Sequence, residues 1–185
     1  MRRLFLILPL SAVIIGGLIA YKLTRPPVAA VSAGDVPLVA GRAPLFELYD
    51  EHSQIVRLAR YLGRHKLLVV FFDGARGPDK SELLQQLRDS FPQIRETKAV
   101  LLAVSTLRPA EHRQGAERGA HFPFPMLSDI DERVHQQWGA YDSQTEKTRE
   151  AVFVIDRGGV IRHVHRGPEN LGTPADWNTE LNRVP

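Results

Sequence analysis

Leu67, Leu68, Val69, Val70, Phe71 and Phe72 form an unbroken apolar run, and residues 99–104 and 151–155 form two more of the same kind. A run this short with no polar alternation fits a strand covered on both faces, which restricts the chain to folds with a buried sheet. Residues 160–165 continue from the third run through Asp156, Arg157, Gly158 and Gly159, whose glycines supply the backbone freedom of a hairpin turn. Helical patterns lie between these runs. After Gly77, Pro78 and Asp79, the side chains of Leu83, Leu84, Leu87 and Phe91 share one helical face, with Asp79 or Ser81 as candidate caps. Residues 109–118 and 131–138 are two further helix candidates. The order strand, helix, strand, helix, helix, strand, strand implies a mixed sheet flanked by helices on both faces, an α/β three-layer domain.

The amino-terminal region has a different character. Met1, Arg2 and Arg3 precede an 18-residue stretch, Leu4 to Tyr21, that carries no charge; Lys22 and Arg25 close it. As a helix this stretch is roughly 27 Å long, close to the hydrocarbon thickness of a bilayer. The small residues Ala29, Ala30, Ser32 and Ala33 lie well beyond it, behind Pro26 and Pro27. That spacing fits an uncleaved transmembrane anchor better than a cleaved signal peptide. The expected organisation is therefore an anchor at 1–25, a Pro/Ala-rich tether at 26–40 and a folded domain at 41–185. Arg2 and Arg3 favour an inside amino terminus, which puts the domain on the extracytoplasmic or periplasmic side.

Composition narrows the chemistry. The chain is 43% hydrophobic and 24% charged, with a net charge of only +3 from scattered basic residues, so a nucleic-acid partner is not expected. None of its 185 residues is cysteine, which excludes disulfides, Cys-ligated zinc, iron–sulfur clusters and thiol redox catalysis by this chain alone. Of the seven histidines, His163 and His165 fall on one face of a strand, where they form a conceivable metal-chelating pair. The expectation remains that they are the polar face of the hairpin and that there is no metal site. His52, His65, His112, His121 and His135 show no ligand spacing, and the polar stretch 143–150 reads as an exposed loop.

Five segments resemble one family in the same order. Gly41, Ala43, Pro44, Phe46, Leu48 and Asp50 match the spacing G-x-A-P-x-F-x-L-x-D, and Leu62-Gly63 leads into the first buried run. Phe122-Pro123-Phe124-Pro125-Met126-Leu127-Ser128-Asp129 is similar to F-P-L-L-S-D, and Trp138-Gly139-Ala140 to an aromatic-Gly-Val step. Phe153, Ile155, Asp156, Gly159, Ile161 and Arg162 complete an F-x-I-D-x-x-G-x-I-R hairpin. Together they resemble the peroxiredoxin-like redoxins of the alkyl hydroperoxide reductase and thiol-specific antioxidant type, which implies a thioredoxin-like domain.

In that family a P-x-x-x-T-x-x-C stretch follows the first buried strand and carries the reactive thiolate at a helix start. Here the resemblance aligns Asp73 with the proline, Gly77 with the threonine and Lys80 with the cysteine; a one-residue slip would put Asp79 there instead. The family's arginine, three residues before the hairpin phenylalanine, aligns with Glu150, and Arg149 lies one residue too early. All four positions differ. Lys80 reads as a solvated lysine and Ser81 as a helix cap. The resemblance thus implies a catalytically degenerate domain with no catalytic residue and no cofactor, kept for binding a protein partner or for scaffolding in an envelope redox or assembly system. The alternatives are an antioxidant oxidoreductase with non-cysteine or cofactor-dependent chemistry, and a metal-handling module using His163 and His165. The sequence leaves the oligomeric state open.

Overall fold

The computed structural model describes residues 40–119 and 121–185; the expected anchor and all but the last residue of the tether lie outside the described residues. In chain order the strands are β1 (Glu47–Tyr49), β2 (Ile55–Arg57), β3 (Lys66–Phe71), β4 (Ala99–Ser105), β5 (Met126–Ser128), β6 (Tyr141–Asp142), β7 (Lys147–Thr148), β8 (Ala151–Ile155) and β9 (Ile161–Arg166). The helices are α1 (Glu82–Asp89), α2 (Phe91–Glu96), α3 (Pro109–Glu117), α4 (Arg133–Gln137) and α5 (Pro174–Arg183). None of the described helices is long and apolar enough to cross a membrane.

The three apolar runs are the middle of a seven-stranded mixed sheet ordered β2-β1-β5-β4-β3-β8-β9. Strands β3, β4 and β5 run parallel, and β8 lies antiparallel to β3. Side chains alternate across β3, so Leu67, Val69 and Phe71 enter one core while Leu68, Val70 and Phe72 enter the other. The first core closes over Trp138, whose ring centroid lies 4.9 Å from Phe153, 5.6 Å from Phe71 and 5.9 Å from Phe46. The second closes under Leu84 and Leu87 of α1, Ile94 of α2, and Trp177 and Leu181 of α5. Helix-covered faces on both sides explain why the central runs carry no polar alternation.

Several elements go beyond the expected order. The face drawn from Leu83 to Phe91 belongs to two helices, not one. The Ser90 hydroxyl donates to the Gln86 carbonyl at 2.7 Å and ends α1, and Pro92 sits in the first turn of α2, where its missing N–H costs nothing. The stretch 143–150 is not simply a loop, because Tyr141 pairs with Thr148 and Asp142 with Lys147 in a small separate hairpin. The hairpin β1–β2, strand β5 and helix α5 complete the fold. Thr173 opens α5 with a reciprocal cap: its hydroxyl accepts from the Asp176 N–H, and its own N–H donates to the Asp176 carboxylate at 2.8 Å.

Candidate functional site

Sheet register brings the site together. Phe71 at the end of β3 pairs with Ala151 at the start of β8, and Ala151 pairs with Arg166 at the end of β9. The segment after β3, Glu150 just before β8, and Arg166 therefore meet at one end of the sheet, beyond the carboxyl end of β3. A cavity of about 560 Å³ lies there, lined by Asp73, Arg76, Gly77, Lys80, Glu82, Thr148, Arg149, Glu150 and Arg166 among others. A second hollow of about 540 Å³ lies on the other side of the 74–80 segment, towards Leu107 and Arg118.

Local chemistry fixes the segment between these hollows. The Asp73 carboxylate accepts from the Ala75 N–H at 2.9 Å, and the Gly77 N–H donates to the Gly74 carbonyl at 2.8 Å. Gly77 has φ +90°, a conformation that a threonine at this position would strain. Residues Pro78–Lys80 form one 3₁₀ turn, and α1 begins only afterwards, with the Ser81 hydroxyl accepting from the Leu84 N–H at 3.3 Å. Ser81 is the cap; Asp79 is not. The Asp79 carboxylate instead receives Arg118 at 2.9 Å and Lys80 at 3.4 Å, and the Arg118 hydrogen bond holds it below the usual carboxylate range. Pro78 packs against Gly115 of α3, where a Cβ would lie 2.3 Å from the proline Cγ.

The cavity's charges differ in how they are engaged. Lys80 is 67% exposed and turned towards Asp79. Arg149 pairs with Asp142, whose carboxyl it holds down to about 2. Arg166 donates to the Trp138 carbonyl at 3.2 Å and lies 5.3 Å from the centre of the Phe153 ring. Burial pushes the Glu150 carboxyl above its usual range, and the charges of Asp73 and Glu82 push it the same way. A backbone hydrogen bond from Asp73 and the charge of Arg76 offset this in part.

Two buried histidine clusters lie away from this cavity. The His135 ring and backbone N–H both meet one oxygen of Asp129, at 2.7 and 2.8 Å, with both side chains fully buried. His112 sits 3.4 Å from the Ser105 hydroxyl, and burial lowers its pKa to about 4. The hairpin imidazoles have a different use. His165 lies 2.9 Å and His163 3.3 Å from the carboxylate of Glu180, so both clasp α5 against β9. No group of three His, Asp or Glu side chains among the described residues is placed to hold a metal ion.

Arg166, Glu82 and Thr148 are cavity residues that the sequence reading missed. Between Val154 and Ile155 the β8–β9 ladder shifts by one residue, and this bulge sets Arg166, rather than His165, opposite Ala151. The run His163-Val164-His165-Arg166 carries no sign of that shift.

Comparison with known proteins agrees with this architecture. The sequence profile of the AhpC/TSA family matches residues 39–164. Alkyl hydroperoxide reductase E of Mycobacterium tuberculosis is 36% identical over 126 residues, covering 67% of this chain and 82% of that protein. Chloroplastic peroxiredoxin Q of Triticum aestivum is 26% identical over 136 residues, covering 73% of this chain and 59% of that protein. Among solved structures, peroxidoxin BcpB of Mycobacterium tuberculosis superposes with a TM-score of 0.68 at 23% identity, over 80% of this chain and 97% of that one. The mitochondrial 2-Cys peroxiredoxin of Plasmodium falciparum gives 0.66 at 17% identity, over 78% and 92%. At these identities the structural likeness concerns the fold alone, which is thioredoxin-like.

Proposed function

The chain belongs to the AhpC/TSA family, and from that premise we propose that it is a member that no longer performs thiol peroxidase chemistry and serves as a membrane-tethered binding or scaffold module. The observation that carries this reading is the absence of cysteine from the whole chain. A thiolate is both nucleophile and reversible electron store, and no other side chain does both. The rest of the site supports it. At the aligned positions Asp73, Gly77, Lys80 or Asp79, and Glu150 with Arg149, the residues no longer match those that would lower a thiol's pKa and steady a peroxide. Lys80 is solvated beside Asp79, and Glu150 adds a negative charge where the family has a positive one.

The apolar stretch from Leu4 to Tyr21, flanked by basic residues, supports a single-pass anchor. Slightly stronger basic character before it supports an extracytoplasmic domain acting beside partners of an envelope redox or assembly system. Metal handling by the hairpin is less well supported, because His163 and His165 both engage Glu180.

A peroxide-consumption assay on the purified protein, with reductant supplied, tests the reading. The expected result is no turnover above a heat-treated control, and saturable turnover overturns the proposal. Topology is tested separately, by protease accessibility of the domain in sealed vesicles and in spheroplasts.

A further inference from the structure

We propose that the end of the domain at which the chain enters it is a docking face for a bilayer of anionic phospholipids. The occupant rests on the tethered reading above, whereas the face itself rests on the charges gathered there.

Basic residues are scattered along the sequence, and the sheet collects a group of them. Lys66 at the start of β3 pairs with Ala99 at the start of β4, and Leu67 pairs with Ile155 at the end of β8. The turns before β3, before β4 and after β8 therefore lie side by side at one end of the sheet. The Gly63 N–H donates to the Arg157 carbonyl at 2.6 Å, and the Lys98 N–H to the Arg95 carbonyl at 3.0 Å. Arg42 bridges Val160 just past the β8–β9 turn, and the Ala40 N–H donates to the Ile161 carbonyl at 2.7 Å. The chain before Ala40 thus joins the domain at this same end.

Within residues 40–43, 61–66, 95–99 and 156–162 there are seven Lys or Arg and two acidic residues, so this end is strongly positive. One of the acids, Asp156, is buried and holds Arg162; the other is Glu96. Lys66 donates to the Leu181 carbonyl at 2.9 Å. Arg42, Arg64, Arg95, Lys98 and Arg157 are exposed and take part in none of the ion pairs among the described residues. The opposite end of the sheet mixes signs, with Asp73, Glu82 and Glu150 beside Arg76, Lys80 and Arg149.

Each Lys or Arg beside an anionic leaflet strengthens binding roughly fivefold. That attraction fades within about 10 Å at physiological salt, so the face has to come close to the headgroups. The tether permits this, because residues 26–40 reach no further than about 50 Å even when fully extended. A nucleic acid carries the same sign of charge, but the uncharged stretch from Leu4 to Tyr21 favours a membrane.

The chain has no cysteine, so His65→Cys and Ala75→Cys each supply a single attachment point for a dye. Both positions are exposed, the first at the proposed face and the second at the opposite end. The full-length protein carrying either dye is reconstituted in phosphatidylcholine vesicles, with or without about 30% phosphatidylglycerol, that contain a headgroup-linked nitroxide quencher. Phosphatidylglycerol should raise quenching of the dye at 65 about threefold and leave the dye at 75 unchanged, and about 0.5 M sodium chloride should remove the difference. The triple variant Arg64→Glu, Lys98→Glu, Arg157→Glu should lose this gain, and Arg157→Glu alone should weaken it, with folding checked by circular dichroism. Arg108→Glu, beyond the carboxyl end of β4, should keep it. Equal quenching in the two lipids, or a gain that survives salt or the triple substitution, overturns the inference. So does retention of a fluorescent oligonucleotide at physiological salt by the protein in phosphatidylcholine vesicles, which assigns the face to nucleic acid. Carbonate-resistant attachment without the lipid-dependent gain keeps the anchor and removes the docking face. A gain on protein that carbonate releases removes the anchor and keeps the face.

Discussion

Strand β3 and the segment 73–80 are consecutive in the chain, yet different forces hold them. Residues Leu67, Leu68, Val69, Val70 and Phe71 are fully buried, paired on both sides, and packed into two cores. The eight residues 73–80 touch two hollows, and local devices fix them: an Asp73 turn, Gly77 at positive φ, Pro78 against Gly115, and Asp79 on Arg118. Substitution in the strand meets close packing at once. Substitution at the exposed positions of the segment, Asp73, Ala75, Arg76 and Lys80, meets solvent and a few hydrogen bonds. A chain in this family can therefore change the chemistry of its site while keeping the sheet that presents it.

That contrast can be broken at its strong side first. Trp138→Ala removes the ring at the centre of one core and is expected to lower unfolding stability by about 4 kcal/mol in urea titrations. A loss below about 1 kcal/mol would show that this face is not close-packed.

Acid acts next, through buried His112. Its pKa of about 4 in the folded state lies below the unfolded value of 6.5, so between those pH values the unfolded chain binds the extra proton. The associated stability is present above the unfolded pKa, is lost as pH falls through this window, and amounts to about 3 kcal/mol. His112→Leu should flatten the decline, which denaturant midpoints between pH 4 and 7 will read.

Gly115→Ala forces a methyl into Pro78 and should cost about 2 kcal/mol by overpacking, together with faster proteolytic cutting within residues 73–80. The smallest effect is a gain. Because the folded state raises the Glu150 pKa, ionisation there destabilises the fold as pH rises. Glu150→Gln should therefore unfold at a slightly higher temperature at neutral pH, and the gap should close in acid.

Much of this architecture is legible in the sequence because burial leaves a pattern. Residues 67–72, 99–104 and 151–155 read as covered strands and are so, and Gly158 and Gly159 mark the turn that joins the last two strands. Shorter elements leave less. Strand β5 has only three residues, and the β6–β7 pair is made of polar residues with no apolar alternation. Helix α5 did carry a signal, in Thr173, Pro174 and Asp176 with Trp177 and Leu181 on one face. At the candidate site, residue identities at 73, 77, 79, 80 and 150 come from the family resemblance, while charge engagement is a property of three dimensions alone. The link between Arg149 and Asp142 depends on the small hairpin, and the place of Arg166 depends on a one-residue bulge.

The central claim is that the site has lost more than its thiol. Its most direct test is the second-order rate constant for oxidation by hydrogen peroxide of the single variants Lys80→Cys and Asp79→Cys, which cover both alignments, measured beside free glutathione. With Gly77 and Glu150 unchanged, neither introduced thiol should react more than about tenfold faster than glutathione, because the groups that lower a thiol's pKa and hold the peroxide are still missing. A rate a hundredfold or more above glutathione in either variant would contradict the account, since it would mean that only the cysteine had been lost from an otherwise working peroxidase.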